Sequence, residues 1–322
     1  MIDKKRFKES LQSVNNDNFD TNALSVFEYQ WHHNSVYQHY CNLLNRDPEN
    51  VEKLEDIPFL PIEFFKKHII KTGDWATMTV FKSSGTTGTR STHHVQDEPF
   101  YHRITQTIYE SHFHPLKDVQ VLALLPSYIE QGDSSLISMV NYFISQSAEG
   151  GGFFLDDDTA LRNTLKSNPK KVLFGVSYAL LDFIENSGIE TKNTTIIETG
   201  GMKGRKKELT REELHKRIKR GFGVGDVYSE YGMTELLSQA YGKNGEFSFP
   251  PWAKILIRDI NDPFSFVKTG KTGGINIIDL ANIDTISFIE TKDLGKINEN
   301  GDFEVLGRFD NTDLRGCNLL IQ

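Results

Sequence analysis

The chain has 322 residues, of which 38% are hydrophobic and 25% are charged, and its formal net charge at pH 7 is −8. This length permits one large domain or two closely joined ones, and the acidic balance argues against nucleic acid or an anionic membrane as the main partner. No run of about 18 apolar residues occurs, so no integral membrane segment is expected. The polar N-terminus lacks a secretion signal, and two cysteines, Cys41 and Cys317, cannot form a disulfide framework. These features indicate a cytoplasmic protein.

The first 70 residues are predicted to be helical. Apolar residues recur there near one face at helical spacing, at Ala23, Phe27, Trp31, Tyr37, Cys41 and Leu44. Cys41 is therefore predicted to be a core residue. Pro58 and Pro61 break the chain before a short predicted helix at 63–68.

From about residue 119, strand and helix patterns alternate. Runs of apolar and β-branched residues predict strands at 119–125, 171–176, 194–198 and 224–229. Helices are predicted at about 134–145, 178–187 and 210–220, the last beginning with a capping box of Thr210 and Glu213. This alternation predicts crossover connections and a largely parallel, buried sheet.

After about residue 245 the pattern changes to strands at 254–260, 274–280, 285–290 and 303–306, separated by Gly, Asn and Asp turns. These strands predict a smaller antiparallel β element beside an α/β body. We expect four parts: a helical N-terminal region (1–75), an α/β core (76–245), a β-rich subdomain (246–310) and a short terminal segment (311–322).

The most informative segment is a loop of Ser, Thr and Gly that follows an extended run at residues 80–82. Its glycines allow close backbone approach to an anion, and Ser83, Ser84, Thr86 and Thr87 add hydroxyl donors. Such a loop is suited to bind a triphosphate. The alternative interpretation is that the segment is a flexible linker. The loop is not of the Walker type, because the second glycine follows Gly85 by only three residues and no Lys comes after it.

Three further segments give weaker signals. Residues 198–201 (Glu-Thr-Gly-Gly) end a predicted strand and either leave room for a flat ring or form a simple turn. Residues 231–235 (Tyr-Gly-Met-Thr-Glu) follow another strand and are predicted to open a helix, either as a phosphate and Mg²⁺ site or as a capping turn. Asp293, after the strand at 285–290, either binds ribose hydroxyls or forms a turn.

Two other features invite structural interpretations. His93 and His94 follow the loop, and adjacent side chains of a strand point in opposite directions, so at most one of them meets a substrate. The acidic run Asp156-Asp157-Asp158 lacks the spacing of a calcium loop and is interpreted as a solvated helix start.

The order of these segments, completed by Gly307-Arg308, resembles the adenylate-forming superfamily of acyl-CoA synthetases. The segments at 57–65, 83–88, 199–204, 250–252 and 315–317 are most similar to its acyl-protein synthetase branch. That branch is typified by the synthetase subunit of the bacterial luminescence fatty-acid reductase, and phenylacetate–CoA ligases are similar. The resemblance runs from about residue 57 to the C-terminus. It implies the large N-terminal domain of an adenylate-forming enzyme, ending in a hinge segment.

The resemblance also implies residue roles. Ser83, Ser84, Gly85, Thr86, Thr87 and Gly88 would wrap the β- and γ-phosphates of ATP. Gly200 and Gly201 would border the adenine pocket, with Tyr231 against the base and Gly232 and Met233 beside it. Thr234 would contact the α-phosphate, Glu235 would hold Mg²⁺, Asp293 would bind the ribose, and Arg308 would lie near it.

The sequence departs from the superfamily pattern in two places. Thr89-Arg90 stands where the phosphate loop usually ends in Lys, so Arg90 is the candidate to supply that charge. Relatives also carry a small C-terminal domain with a lysine that stabilises the adenylation transition state. This sequence ends at Gln322, just past the start of that domain, so the lysine is expected to be absent.

The branch also accepts the acyl group on a cysteine near the C-terminus, and Cys317 in Arg315-Gly316-Cys317 matches that setting. An ordinary buried cysteine is the alternative interpretation. The implied activity is ATP- and Mg²⁺-dependent activation of a carboxylic acid, by resemblance a fatty acid, with transfer to a protein or carrier thiol. An acid–CoA ligase and a non-catalytic nucleotide-binding subunit are the competing functions.

Overall fold

The N-terminal region is helical and packs on the main sheet. The computed structural model describes residues 2–84, 89–126, 132–185, 188–200 and 209–309. Helices run over Lys4–Ser10 (α1), Phe19–His33 (α2), Ser35–Leu43 (α3) and Phe64–Lys67 (α4). The rings of Phe27 and Tyr37 lie 6.3 and 6.2 Å from that of Phe288 in the sheet. Cys41 is fully buried, which raises the pKa of its thiol to about 12 and confirms its predicted place in the core.

Strands and helices alternate through the middle of the chain, as predicted. In order they are Glu98–His112 (α5), Gln120–Leu124 (β4), Ser135–Gln146 (α6), Gly152–Phe153 (β5), Asp158–Lys166 (α7), Lys171–Val176 (β6), Ser177–Glu185 (α8), Thr194–Thr199 (β7), Arg211–Phe222 (α9) and Val227–Tyr231 (β8). Strands β5, β4, β6, β7 and β8 are neighbours and all parallel. Every residue of β6 is buried, because helices cover both faces of a parallel sheet.

Two local predictions in this part are confirmed. The Thr210 hydroxyl accepts a hydrogen bond from the backbone N–H of Glu213 at 3.2 Å and caps α9. The Asp157 carboxylate accepts one from the N–H of Ala160 at 2.9 Å and caps α7, so the acidic run is a helix start.

The antiparallel strands follow from residue 240. They are Ala240–Lys243 (β9), Glu246–Ser248 (β10), Ala253–Arg258 (β11), Gly273–Asp279 (β12), Phe288–Ile297 (β13) and Phe303–Arg308 (β14). They extend the parallel strands through the β8–β9 pair into one sheet of order β11-β12-β13-β14-β10-β9-β8-β7-β6-β4-β5. Leu60–Pro61 (β1) pairs with β13. The predicted α/β body with an antiparallel β element is confirmed, and the two share one sheet. Within the described ranges, no helix is long and apolar enough to cross a membrane.

A separate hairpin carries the Ser/Thr/Gly loop. Thr79–Lys82 (β2) and Thr92–Val95 (β3) pair antiparallel, with Lys82 opposite Thr92. The loop therefore connects two strands that are tied to each other. The described ends of the loop are also held together, because the Ser83 N–H donates to the Ser91 carbonyl at 3.1 Å.

One predicted strand boundary is wrong. The strand expected at 285–290 begins at Phe288 and runs to Ile297, so Asp293 lies within it and not in a turn after it. A register shift between Leu294 and Gly295 explains why the local sequence resembles a turn. Asp293 consequently lies directly opposite Arg308 in β14.

The predicted helix after β8 is also wrong. The chain turns after Tyr231 and returns as β9. The buried Asp279 carboxylate accepts hydrogen bonds from the N–H groups of Leu237 and Ser238, each at 2.9 Å, and from the Ser238 hydroxyl at 2.7 Å. A continuing helix would direct these N–H groups to its own carbonyls, so Asp279 stabilises the turn instead.

We expect Asp279→Ala to lower the free energy of unfolding by roughly 3 kcal/mol, because two buried N–H groups and a hydroxyl lose their acceptor. Chemical denaturation measures this change. Asp74→Ala, at an exposed position, is the matched control. Equal stability of the two variants would contradict this account of the turn.

Candidate active site

Residues 230–235, at the carboxyl end of β8, are the point where the other predicted segments meet. Ligands bind beyond the carboxyl ends of parallel strands in open α/β sheets. Gly232 is exposed, while Met233 and Thr234 are half-buried, so this segment faces solvent. Glu235 is buried behind it.

The described ends of the Ser/Thr/Gly loop are held by charge pairs and hydrogen bonds. The Ser83 hydroxyl accepts a hydrogen bond from the N–H of Ser91 at 3.0 Å. Arg90 forms an ion pair with Asp133 at 3.1 Å, and Lys82 reaches the same carboxylate at 3.3 Å. Burial alone would raise the pKa of Asp133, but Arg90 and Lys82 lower it. Both cations beside the loop are therefore paired with this acid.

Several predicted residues lie outside the part of the chain that the structure describes. They are Gly85, Thr86, Thr87 and Gly88 of the loop, Gly201 after β7, and Cys317 near the C-terminus. Ser84, at the edge of the described loop, is exposed. Their proposed roles remain predictions.

Strand β3 connects the loop to residues 234 and 235. The Glu235 carboxylate is hydrogen-bonded to Ser91, and Nδ1 of His93 donates to the Thr234 carbonyl at 2.7 Å. Nε2 of His93 lies 3.0 Å from the Thr285 hydroxyl. His93 therefore positions the Thr234 backbone, whereas His94 on the other face meets the Thr77 hydroxyl at 3.2 Å. The opposite directions of the two histidines are as predicted.

The ionisation of His93 gives a testable pH dependence. Burial lowers the pKa of His93 to about 4, below the ordinary value of 6.5, although the Thr234 carbonyl and Asp284 favour the charged ring. The unfolded chain therefore binds a proton near pH 6.5 that the folded chain takes up only near pH 4. The stability that His93 contributes is complete above pH 6.5 and falls as the pH drops towards 4.

We expect this linkage to remove about 2 kcal/mol of stability between pH 7 and pH 5. Urea denaturation of the unmodified protein and of His93→Gln at both pH values separates it from other titrating groups. The variant should lose less stability over this interval. Equal losses in the two proteins would contradict the assignment.

The predicted ribose-binding residue lies in a cluster with Tyr231 and Arg308. The Tyr231 hydroxyl donates to the Asp293 carboxylate at 2.8 Å, and Nε of Arg308 lies 3.2 Å from the other carboxylate oxygen. The Tyr231 ring packs among aromatic rings, 5.8 Å from Phe247 and 5.4 Å from Phe303. Arg308 is 70% exposed, so the cluster opens to solvent on its side. This arrangement offers a buried carboxylate at the edge of an aromatic platform.

Strand β7 contacts the start of the 230–235 segment, because Thr199 at its end pairs with Glu230. Gly200 adopts a φ of +72° at the end of this strand, a conformation that favours glycine, and its carbonyl accepts a hydrogen bond from the Ser177 hydroxyl at 2.5 Å. The Thr199 hydroxyl donates to Glu230 at 2.6 Å. Gly200 is exposed, so its position beside residues 230–235 is accessible to a ligand.

Glu235 fits the chemistry of a Mg²⁺ ligand. Its carboxylate offers a hard oxygen, and burial raises its pKa, so a cation nearby would restore the charged form. The described residues contain no group of three His, Cys, Asp or Glu side chains that could hold a metal ion. Mg²⁺ often binds one carboxylate together with substrate phosphates and water, which does not require such a group.

Sequence reasoning missed the contributions of Ser91, Asp133 and Asp279. Each of the three contacts a residue more than 30 positions away in the chain, and such contacts leave no local pattern in the sequence. The only available signal was the position of Ser91 at the end of the loop. Glu230 was also missed, because it lies directly after the predicted strand at 224–229 and belongs to none of the motifs.

Comparison with known proteins gives a family match for one part of the chain. Residues 2–110 match the acyl-protein synthetase family LuxE. The match covers the N-terminal helices, the β2–β3 hairpin and most of α5, and so begins well before residue 57, where the sequence resemblance was placed. It confirms the resemblance to the acyl-protein synthetase branch. A comparison with curated proteins found no match.

Solved structures show the same fold. ATP-bound MatB from Rhodopseudomonas palustris superposes with a TM-score of 0.54 and 18% identity, over 74% of this chain and 50% of MatB. A 2-hydroxyisobutyryl-CoA ligase in complex with 2-HIB-AMP and CoA gives a TM-score of 0.66 and 12% identity, over 90% of this chain and 74% of the ligase. The fold is that of the large domain of adenylate-forming ligases. The chain spans about half the length of MatB.

Proposed function

We propose that this protein is an ATP-dependent ligase that activates a carboxylic acid as an acyl-adenylate and passes the acyl group to a thiol. The observation that carries the proposal is the convergence on residues 230–235. Strand β3 contacts Thr234 and Glu235, β13 contacts Tyr231, and β7 contacts Glu230. These segments are the ones that the superfamily uses for phosphates, ribose and adenine.

The proposed reaction has two steps, adenylation of the acid and transfer of the acyl group to a thiol. A carboxylate oxygen of the acid attacks the α-phosphorus of ATP, and the bond to the bridging oxygen breaks so that pyrophosphate leaves with the electron pair. A thiolate then attacks the acyl carbon, and AMP leaves with the carboxylate oxygen that made the first attack. Catalysis of such transfers rests on positioning and on neutralisation of phosphate charge.

Named residues have distinct parts in this proposal. Ser83, Ser84 and the loop that follows bind the β- and γ-phosphates, while Thr234 offers a hydroxyl to the α-phosphate. Asp293 accepts hydrogen bonds from the ribose hydroxyls. Glu235 would hold Mg²⁺, which when bound neutralises charge on the phosphates. Arg90 is the candidate cation for the phosphates, although Asp133 already pairs with it.

The identity of the acid and of the acyl acceptor is a more specific part of the proposal. Membership of the acyl-protein synthetase branch would make the acid a fatty acid and the acceptor a thiol of a protein or carrier, including Cys317 of this chain. The family match at residues 2–110 supports that branch. A cytoplasmic location is part of the same proposal.

Two other functions have specific support. The likeness in fold to a CoA ligase favours an acid–CoA ligase with the same first step. The pairing of both Lys82 and Arg90 with Asp133 favours a nucleotide-binding subunit without activity of its own, because neither charge is left for the phosphates.

Exchange of labelled pyrophosphate into ATP, screened over carboxylic acids of increasing chain length, tests the proposal. Acid-dependent exchange is the expected result. Nucleotide binding without exchange for any acid would favour the non-catalytic subunit. Product formation only when CoA is added would favour the CoA ligase.

A further inference from the structure

Polar side chains cluster on one face of the sheet beside residues 230–235. Glu230 in β8 lies directly opposite Tyr241 in β9, so their side chains share a face. Gln239 lies just before β9, and its side chain approaches the same glycine, Gly232, as the Glu230 carboxylate does. Thr199 in β7 is the parallel neighbour of Glu230 and donates its hydroxyl to Oε2 of that carboxylate at 2.6 Å. Glu230, Gln239 and Tyr241 are called the β8–β9 polar cluster below.

This cluster lies next to the exposed Gly232. A methyl group at Gly232 would collide with Oε1 of Glu230 and lie 3.3 Å from Cγ of Gln239. Gly232 is thus exposed to solvent on one side and contacts the cluster on the other. Thr234, the proposed α-phosphate contact, follows two positions later, so the cluster borders the segment that would hold that phosphate.

Two buried polar atoms of the cluster have no hydrogen-bond partner in the part of the chain that the structure describes. Tyr241 is 1% exposed and Gln239 is 5% exposed. Among the described residues, neither the Tyr241 hydroxyl nor Oε1 of Gln239 has a hydrogen-bond partner. Leaving such a group unsatisfied costs about 1–3 kcal/mol, so a site that keeps two of them is built to bind something polar.

The remaining surroundings define what that group is. The Tyr241 ring packs against aromatic rings of α5 and the residue after it, 6.3 Å from Tyr109 and 5.2 Å from Phe113. Oε1 of Gln239 can only accept a hydrogen bond, and Glu230 accepts one from Thr199. Burial raises the pKa of Glu230 to about 7, and neighbouring Glu198 acts in the same direction. The cluster therefore offers an acceptor at Oε1 of Gln239, a second at Glu230 when it is ionised, and a Tyr241 hydroxyl that can donate or accept, so a ligand must bring at least one donor to satisfy Gln239.

We propose that the β8–β9 polar cluster selects acids that carry a hydrogen-bond donor, a hydroxyl or an amino group, close to the carboxylate that is activated. This inference rests on the proposed function, because it assigns the substrate class of the same site. The donor is shared between Oε1 of Gln239, the Tyr241 hydroxyl and Glu230. It places no restriction on the length of the chain beyond the donor.

Matched acids test the inference in the pyrophosphate exchange assay. Each straight-chain acid is compared with its hydroxy, amino and oxo derivatives at the second, third and fourth carbons. The oxo acid can only accept hydrogen bonds and is the control for size and polarity. We expect kcat/KM of at least one hydroxy or amino acid to exceed that of the unsubstituted and oxo acids by at least about tenfold. The two donor series identify which group is preferred.

Variants assign the preference to the cluster. Tyr241→Phe removes a buried hydroxyl that has no partner among the described residues, so it should keep or raise thermal stability while reducing the preference at least about tenfold. Gln239→Leu should also reduce the preference, because it removes the acceptor Oε1. It removes as well the hydrogen bond from Nε2 of Gln239 to the Leu237 carbonyl at 3.3 Å, so its thermal stability is measured in parallel. Tyr40→Phe removes a hydroxyl that donates to the Phe59 carbonyl at 3.1 Å, away from the cluster, and should keep the preference.

The outcomes are separable. Exchange that is equal for substituted and unsubstituted acids overturns this inference but leaves the proposed function standing. A preference that survives in both Tyr241→Phe and Gln239→Leu also overturns it. Absence of exchange with every acid overturns the proposed function and this inference together.

Discussion

Asp293→Asn is expected to raise the KM for ATP by about 10- to 100-fold and to change kcat less. The carboxylate lies between the Tyr231 hydroxyl and Arg308, where its charge strengthens any hydrogen bond from the ribose. Hydrogen bonds to a charged group contribute about 1.5–3 kcal/mol, which corresponds to this range. Loss of uniform binding appears in KM. Initial rates of pyrophosphate exchange over a range of ATP concentrations measure the effect.

Tyr231→Phe is the matched variant for the same cluster. It removes the hydroxyl that holds Asp293 but keeps the carboxylate and the aromatic ring. Its KM for ATP should rise less than that of Asp293→Asn. An unchanged KM in Asp293→Asn, with the variant folded, would remove Asp293 from the nucleotide site.

Cys317→Ser is expected to abolish covalent labelling of the protein by a radioactive acid in the presence of ATP, while acid-dependent pyrophosphate exchange persists. A thiolate reacts readily with the mixed anhydride of an acyl-adenylate, and serine does so far more slowly. The label on the unmodified protein should be released by neutral hydroxylamine, as a thioester is.

Cys41→Ala is the control for this experiment, since the chain has two cysteines. Cys41 is buried in α3 with the pKa of its thiol raised, so it should not accept the acyl group. Labelling should persist in this variant. Labelling that survives in Cys317→Ser, or that moves to added CoA in the unmodified protein, would contradict self-acylation.

The strands of the parallel sheet could be predicted because their signal is local. Lys171–Val176 is apolar after its first residue, a lysine, and all six residues are buried in β6. The helix α9 was predicted from Thr210 and Glu213, whose capping contact spans only three positions. Propensity and periodicity are properties of a few neighbouring residues, so these elements can be predicted from the sequence alone.

The turn after β8 could not be predicted because its cause is distant. Asp279 lies about 40 positions from the backbone N–H groups of Leu237 and Ser238 that it binds. The local sequence at 231–235 therefore suggested a helix. Asp293 was predicted to follow a strand but lies within one. The bulge next to it in β13 has the same local composition as a turn.

The candidate site was predictable as a set of segments but not as a set of contacts. The order of motifs identified Tyr231, Asp293 and Arg308, and the structure places these three side chains together. The role of His93 in holding the Thr234 carbonyl, and the pairing of Arg90 with Asp133, depend on how separate elements pack. Packing of this kind has no signal in the sequence.

The most direct test of the account follows the oxygen atoms of the acid. A carboxylic acid labelled with oxygen-18 in its carboxylate is incubated with the protein, ATP, Mg²⁺ and a thiol acceptor, and the products are analysed by mass spectrometry. Attack on the α-phosphate predicts one labelled oxygen in each AMP and none in pyrophosphate. Label in inorganic phosphate, with ADP as the other product, would show attack on the γ-phosphate and contradict adenylation.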